Sequence, residues 1–199
     1  MLTVKSLKVG VYRTNCYILY NKNKVLLIDP GSRASKIIDY IKESEVIGIL
    51  LTHGHLDHIG AVDEIVKTYH CPVYCHKDDV AMLTDTTLNC SYRNNITVYS
   101  KVIALSEGKF MIDDILIEAM HTPGHTKGST IYRIDDFLFT GDTLFKLSVG
   151  RTDLPTGDDC LLKDSLKMIK NLDPNLKIYP GHDESTTLRF ELENNPYLI

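Results

Sequence analysis

Three of the eight histidines in this chain fall within six residues, in the run His53-Gly54-His55-Leu56-Asp57-His58. Imidazole and carboxylate side chains bind zinc, iron and manganese, and four such donors on one short segment exceed what a single catalytic ion usually draws from one loop. The surplus points to two metals. Donors so close in sequence converge on one point only if the backbone turns, and Gly54 and Gly60 supply that freedom. The run follows the apolar stretch Ile47-Gly48-Ile49-Leu50-Leu51 and does not lie in a polar tract. That context argues against a merely solvated histidine-rich turn, because histidines near a core need partners.

The pattern His53-x-His55-x-Asp57-His58 resembles the signature of the metallo-β-lactamase superfamily. Further segments match that family's motifs in order: His121-Thr122-Pro123-Gly124-His125-Thr126, then Phe139-Thr140-Gly141-Asp142, then Pro180-Gly181-His182. Asn15-Cys16-Tyr17 and Asp29-Pro30-Gly31 extend the resemblance over nearly the whole chain. What the resemblance implies is a two-metal centre. His53, His55 and His125 would hold one ion, Asp57, His58 and His182 the other, and Asp142 would bridge them. Two divalent ions, zinc foremost with iron and manganese as alternatives, lower the pKa of a shared water and make a bridging hydroxide at neutral pH, with Asp57 as the catalytic carboxylate. His121 reads as a supporting residue because His125 already fills the motif's ligand position. His70 ends a predicted helix, where a partly cationic side chain suits the dipole, and His76 ends a predicted strand.

Within the superfamily, a histidine at position 55 departs from the flavodiiron proteins, which place an acidic residue there. His58 and the absence of a cysteine near Asp142 argue against the commonest β-lactamase pattern, and 199 residues leave no room for the inserted domain of the nuclease branches. Gly141-Asp142-Thr143-Leu144-Phe145, Gly150-Arg151-Thr152-Asp153-Leu154-Pro155 and Asn194-Asn195-Pro196-Tyr197-Leu198 look like the short bacterial form of the glyoxalase II-like thioester hydrolases. The expected reaction is hydrolysis of a small 2-hydroxyacyl thioester. Arg151 stands where that group has a basic substrate-binding residue; the alternative is a salt bridge to Asp153 or Asp158 that orders the loop. Full-length glyoxalase II grips glutathione through an added helical domain not found in these residues, so weak glutathione binding is expected. A persulfide dioxygenase using a single iron shares the motif skeleton and is the alternative activity. A non-catalytic metal-binding module is disfavoured because all seven ligand positions carry competent residues.

Elements must place these donors. Leu2–Val9, Asn15–Tyr20 and Lys24–Asp29 read as strands, and Ile37, Ile38 and Ile41 recur at helical spacing after a turn at Asp29–Ser32, with Ser32 or Ser35 as the cap. Ile47–Leu51 reads as a strand buried on both faces. A helix near Ala61–Tyr69, a strand at Pro72–His76 and a helix at Asp78–Leu83 follow, and then the polar stretch Thr84–Ser100, read as a surface loop or lid. Strands are expected at Val102–Leu105, Ile115–Met120, Thr130–Ile134, Phe137–Thr140 and Lys177–Tyr179, with helices at Asp159–Ile169 and Thr187–Glu193. This alternation suggests an α/β chain of one domain, residues 1–199, in which two sheets pack face to face with helices outside, a four-layer αββα sandwich.

Composition narrows the classes further. Twenty-two basic against 26 acidic residues leave a formal charge of −4, which offers no basic surface for nucleic acid. No apolar run approaches the roughly 18 residues of a membrane helix, and Met1–Gly10 lacks the apolar centre of a signal peptide. Cys16, Cys71, Cys75, Cys90 and Cys160 contain no C-x-x-C pair, which suits free thiols in a reducing compartment. Cys71 and Cys75 read as buried thiols on one strand face. A cytoplasmic protein acting on a small-molecule thioester, with no nucleic-acid or membrane partner, is the expectation.

Overall fold

Branched and aromatic residues crowd the opening segments, and in the computed structural model, which describes residues 2–199, they form an antiparallel meander. Its strands are β1 (Thr3–Val9), β2 (Thr14–Asn21) and β3 (Lys24–Ile28). Beyond β3 the pairing becomes parallel, because each return passes through helix: α1 (Ala34–Ile41), β4 (Glu45–Leu50), α2 (Leu56–Ile59), α3 (Val62–Tyr69) and β5 (Val73–His76). A 3-10 helix at Lys77–Leu83 and the long stretch to β6 (Val102–Leu105) complete a sheet ordered β1-β2-β3-β4-β5-β6. The chain divides here into two compact units, the first ending at Leu105 and the second spanning Ser106–Ile199.

The core of the first unit explains its helices. Ile37 and Ile41 of α1, with Val62 and Ile65 of α3, share one buried cluster with Ile18, Leu27, Ile49 and Val73 of the strands. Each such side chain contributes about 1.5–3 kcal/mol on burial. Neither expected serine caps α1. Arg33 occupies the cap with a left-handed φ of 54° and no side-chain cap bond, so α1 is held by its buried stripe and not by its end.

The second unit begins with a hairpin of β7 (Gly108–Ile112) and β8 (Ile115–His121), continues through β9 (Thr130–Ile134) and β10 (Phe137–Gly141), and carries a small ribbon of β11 (Leu144–Phe145) with β12 (Ser148–Val149). After α4 (Asp159–Ile169) the chain adds β13 (Lys177–Pro180), β14 (Thr186–Thr187) and α5 (Leu188–Asn194), giving a sheet ordered β14-β13-β10-β9-β8-β7. Asp113 and Asp135 take positive φ in the two hairpin turns, as aspartate does more readily than branched residues. The Asp158 carboxylate accepts from the Leu161 amide at the start of α4, and the Thr187 hydroxyl accepts from the Phe190 amide at the start of α5. Leu162, Leu166 and Ile169 form the expected α4 stripe, buried with Ile131, Leu138 and Ile178. Two six-stranded sheets and few helices give the α/β class read from the sequence. Among the described residues no helix is long and apolar enough to cross a membrane.

Candidate functional site

β4 lies between β3 and β5, parallel to both, so its carboxyl end opens onto the edge where α/β sheets place ligands. Thr52-His53-Gly54-His55 leaves this end and runs into the single turn of α2, which carries Asp57 and His58. His53, His55 and His58 are all buried, and Asp57 is half-buried. The His53 ring lies 4.9 Å from that of His55 and 4.1 Å from that of His58, centroid to centroid. His58 Nε2 is 3.7 Å from Asp57 Oδ2. The structure therefore gathers the four donors of the first motif on one patch of the first unit.

Neighbouring side chains hold that patch in one protonation pattern. The Asp29 carboxylate accepts from the Thr52 amide (2.8 Å), the Thr52 hydroxyl (2.6 Å) and His58 Nδ1 (2.9 Å). Because the Thr52 hydroxyl spends its hydrogen on Asp29, it accepts from His53 Nδ1 at 3.1 Å. His53 and His58 thus carry their hydrogens on Nδ1 and present the Nε2 lone pairs. The Thr14 hydroxyl donates to Asp57 Oδ2 at 2.7 Å, the Gly54 amide to Asp79 Oδ2 at 3.0 Å, and the Leu56 amide to the Asn89 carbonyl at 3.0 Å. Gly54 and Gly60 do not serve through unusual φ. A Cβ on Gly54 would lie 2.7 Å from Met82 Cβ and one on Gly60 would lie 2.5 Å from the Gly31 carbonyl, so close approach is what excludes larger residues.

The second unit assembles its own donors. β10 and β13 are parallel neighbours, and the Gly181 amide donates to the Gly141 carbonyl at 2.8 Å, which brings the following residues, Asp142 and His182, together. Asp142 Oδ2 lies 3.5 Å from His182 Nε2 and 3.5 Å from His125 Nε2. His125 Nδ1 donates to the Arg151 carbonyl at 2.7 Å, again leaving Nε2 as the lone-pair nitrogen. Gly150 makes this contact possible, since a Cβ there would fall 1.7 Å from the Asp142 carbonyl and 3.1 Å from His125 Nδ1.

Donor chemistry in both units fits a metal. The Nε2 atoms of His53, His55 and His58 and the Oδ1 atom of Asp142 are buried and make no hydrogen bond among the described residues. Neutral imidazole nitrogens oriented by a carboxylate, a hydroxyl or a carbonyl behind them are how proteins present metal ligands. The other histidines take supporting places. His121 Nε2 donates to the Lys127 carbonyl at 2.8 Å, His70 is the left-handed C-cap of α3, and His76 caps the 3-10 helix by accepting from the Asp78 amide.

Over residues 9–182 the sequence matches the model of the metallo-β-lactamase superfamily. The chain belongs to the metallo-β-lactamase superfamily. It is similar to the probable metallo-hydrolase YqgX of Bacillus subtilis (strain 168), 35% identical over 98% of this chain and 96% of the relative. Among solved structures it resembles the BLEG-1 B3 metallo-β-lactamase, at 37% identity and a TM-score of 0.94 over 98% of this chain and 99% of that one. It also resembles TTHA1623 in a di-iron-bound form, at 32% identity and a TM-score of 0.88 over 98% and 100% of the two chains. The metallo-β-lactamase fold expected from the motifs is therefore the fold of this chain, and its His and Asp donors fit the dinuclear site of the superfamily.

Arg151, the expected substrate contact, forms a two-pronged ion pair with Asp153, Nε to Oδ1 and Nη2 to Oδ2, each 2.7 Å, at the exposed surface. The guanidinium holds the Asp153 carboxyl at about 2, well below the ordinary range. Lys146, the other cation after Asp142, reaches Glu184 at 2.8 Å. A cavity of about 710 Å³ lies beside this turn in the second unit, with Val149, Arg151, Asp153, Lys163, Leu166 and Tyr197 in its wall. Asp29, Thr14, Thr52, Asp79 and Asn89 support the donors without belonging to the ligand motifs. Of these only Asp29 lies in a matched motif segment, Asp29-Pro30-Gly31.

Proposed function

We propose that this protein is a two-metal hydrolase of small thioesters, of the 2-hydroxyacyl kind, resembling the glyoxalase II-like enzymes. The observation that carries the reading is the donor set: His53, His55, Asp57 and His58 gathered in the first unit, and His125, Asp142 and His182 in the second. His53, His55 and His125 would hold one ion, Asp57, His58 and His182 the other, with Asp142 shared. When bound, two divalent ions supply Lewis acidity, which makes a water nucleophilic near neutral pH and steadies charge growing on a carbonyl oxygen. Asp57, kept in place by the Thr14 hydroxyl, would take the proton released as water adds to the carbonyl carbon and give it to the thiolate as the C–S bond breaks. Zinc is the favoured metal, and the di-iron form of TTHA1623 makes iron a second candidate.

Arg151 is the proposed contact for a substrate carboxylate, and its existing fork with Asp153 sets the strength of that contact. A substrate carboxylate gains the guanidinium only by replacing an equivalent carboxylate, so the net gain is small. Weak, broad recognition of thiols follows, and the protein acts on a soluble small molecule in the cytoplasm. The similarity to a B3 β-lactamase supports β-lactam hydrolysis as a second activity to be measured. The test is metal analysis of the purified protein beside assays of several thioesters, a β-lactam and a persulfide. Two equivalents of metal with thioester turnover support the proposal. One iron with oxygen uptake on the persulfide replaces it with the dioxygenase, and turnover of the β-lactam alone replaces thioester by amide chemistry.

A further inference from the structure

One carboxylate among those that support the donors, Asp79, has no part in the proposed reaction. Asp79 is fully buried, on the 3-10 helix that follows β5. Its Oδ2 accepts from the amide of Gly54, the residue between His53 and His55, at 3.0 Å. The turn is pressed onto that helix so closely that Met82, three residues along, leaves no space for a Cβ on Gly54. The two histidines therefore take their separation and direction from a backbone that Asp79 grips at its middle. Burial, with the nearby charges of Asp79 and Asp29 added, pushes the Cys75 thiol well above its ordinary value. Two carboxylates thus act on the same part of the interior, one fixing Thr52 and His58 and the other fixing Gly54.

A buried carboxylate is costly, and it is tolerated where hydrogen bonds and opposite charge meet it. The Gly54 amide supplies one hydrogen bond, and a divalent ion held by His53 and His55 would supply opposite charge close to the same turn. We infer that Asp79 is a positioning residue of the metal centre, fixing the His53-Gly54-His55 turn through the Gly54 amide and placing a negative charge behind the ion those histidines hold. The inference rests on the two-metal reading. It extends that reading from the ligands to the residue beneath them.

Two substitutions separate the hydrogen bond from the charge. Asp79→Asn keeps an oxygen for the Gly54 amide and removes the charge, while Asp79→Ala removes both. Zinc affinity is measured by competition with a chromophoric chelator, and the melting temperature is measured on the chelator-stripped protein. Supporting partners of metal ligands are typically worth about 10–100-fold in affinity, so Asp79→Asn should weaken zinc binding about tenfold and Asp79→Ala should weaken it towards a hundredfold. The stripped Asp79→Asn protein should melt close to stripped wild type, since the oxygen that meets the Gly54 amide is kept. Unchanged zinc affinity in Asp79→Asn would overturn the inference. So would a stripped Asp79→Asn protein destabilised as much as its zinc binding is weakened, because that is the mark of a general structural residue. If wild type itself takes up no zinc, iron or manganese, the two-metal reading fails and this inference with it.

Discussion

At the scale of single residues, two histidines and an aspartate show how position decides role. His121 and His125 lie four apart, yet His121 spends its Nε2 hydrogen on the Lys127 carbonyl, whereas His125 is anchored through Nδ1 and shares Asp142 with His182. Asp142→Ala should therefore lower metal content more than His182→Ala, and His121→Ala should leave it near the wild-type level, as elemental analysis after gel filtration would show. Loss of metal in His121→Ala equal to that in His182→Ala would reverse the assignment. Arg151 offers a second test because its partner is known. If Arg151 meets a substrate carboxylate, Arg151→Ala should raise KM several-fold at constant metal content. Asp153→Ala, which releases the guanidinium from its fork, should lower KM. Steady-state kinetics on an anionic and a neutral thioester would check both, and equal effects on the two substrates would show that Arg151 only orders its turn.

At the scale of elements, the stretch Thr84–Ser100 is the surface loop that its polar, aperiodic sequence suggests, with neither helix nor strand. What the composition does not show is that several of its polar residues fasten it in place. Asn89 and Ser91 are buried, Asn89 Nδ2 and Ser91 Oγ both donate to the Ile96 carbonyl, and the Asn89 carbonyl receives the Leu56 amide between His55 and Asp57. The far end is tied by Asp63 of α3, which accepts from the Tyr99 and Ser100 amides and the Ser100 hydroxyl. Burial alone would raise the Asp63 carboxyl, but these three bonds outweigh it and hold it below its ordinary value. A lowered carboxylate stabilises above its unfolded pKa, and that contribution fades as pH falls through the lower folded value. The tie is therefore complete at neutral pH and weakens as pH falls below the ordinary carboxylate range. Asp63→Ala should speed amide hydrogen exchange across residues 96–100 while leaving β4 and β5 protected. Uniform protection of the loop in the variant would show that Asn89 and Ser91 suffice.

The same contrast explains what the sequence made legible. Strands with apolar alternation and the α4 stripe were readable because their signals are local, and the ligand motifs because donors cluster within a few residues. β7 carries no local signal because Gly108–Ile112 is largely exposed and shows its pairing only against β8. Single-turn α2 is too short to show helical periodicity. Thr14, Asp79 and Asn89 reach the donors across 43, 25 and 33 positions of chain, and no pattern in one sequence marks such contacts.

Taken as a whole, the molecule carries a formal charge of −4 and a sequence pI near 6.0. On the two-metal proposal, two divalent ions with one bound hydroxide on neutral histidine ligands would add about three charges, which nearly cancels the formal excess of acid. The loaded protein then has little long-range field to steer or repel a small anion. Two measurements follow from one cause. Chelator-stripped protein should focus at a lower pH than the loaded form, with an intermediate band if one ion leaves before the other. For the loaded enzyme, kcat/KM on an anionic thioester should change little as salt is raised from low to physiological strength, because screening acts on a field that is already near zero. A steep fall with salt would mean that a local positive surface governs encounter. Arg151 and Lys146, both now paired with carboxylates, would then have to be freed when substrate arrives.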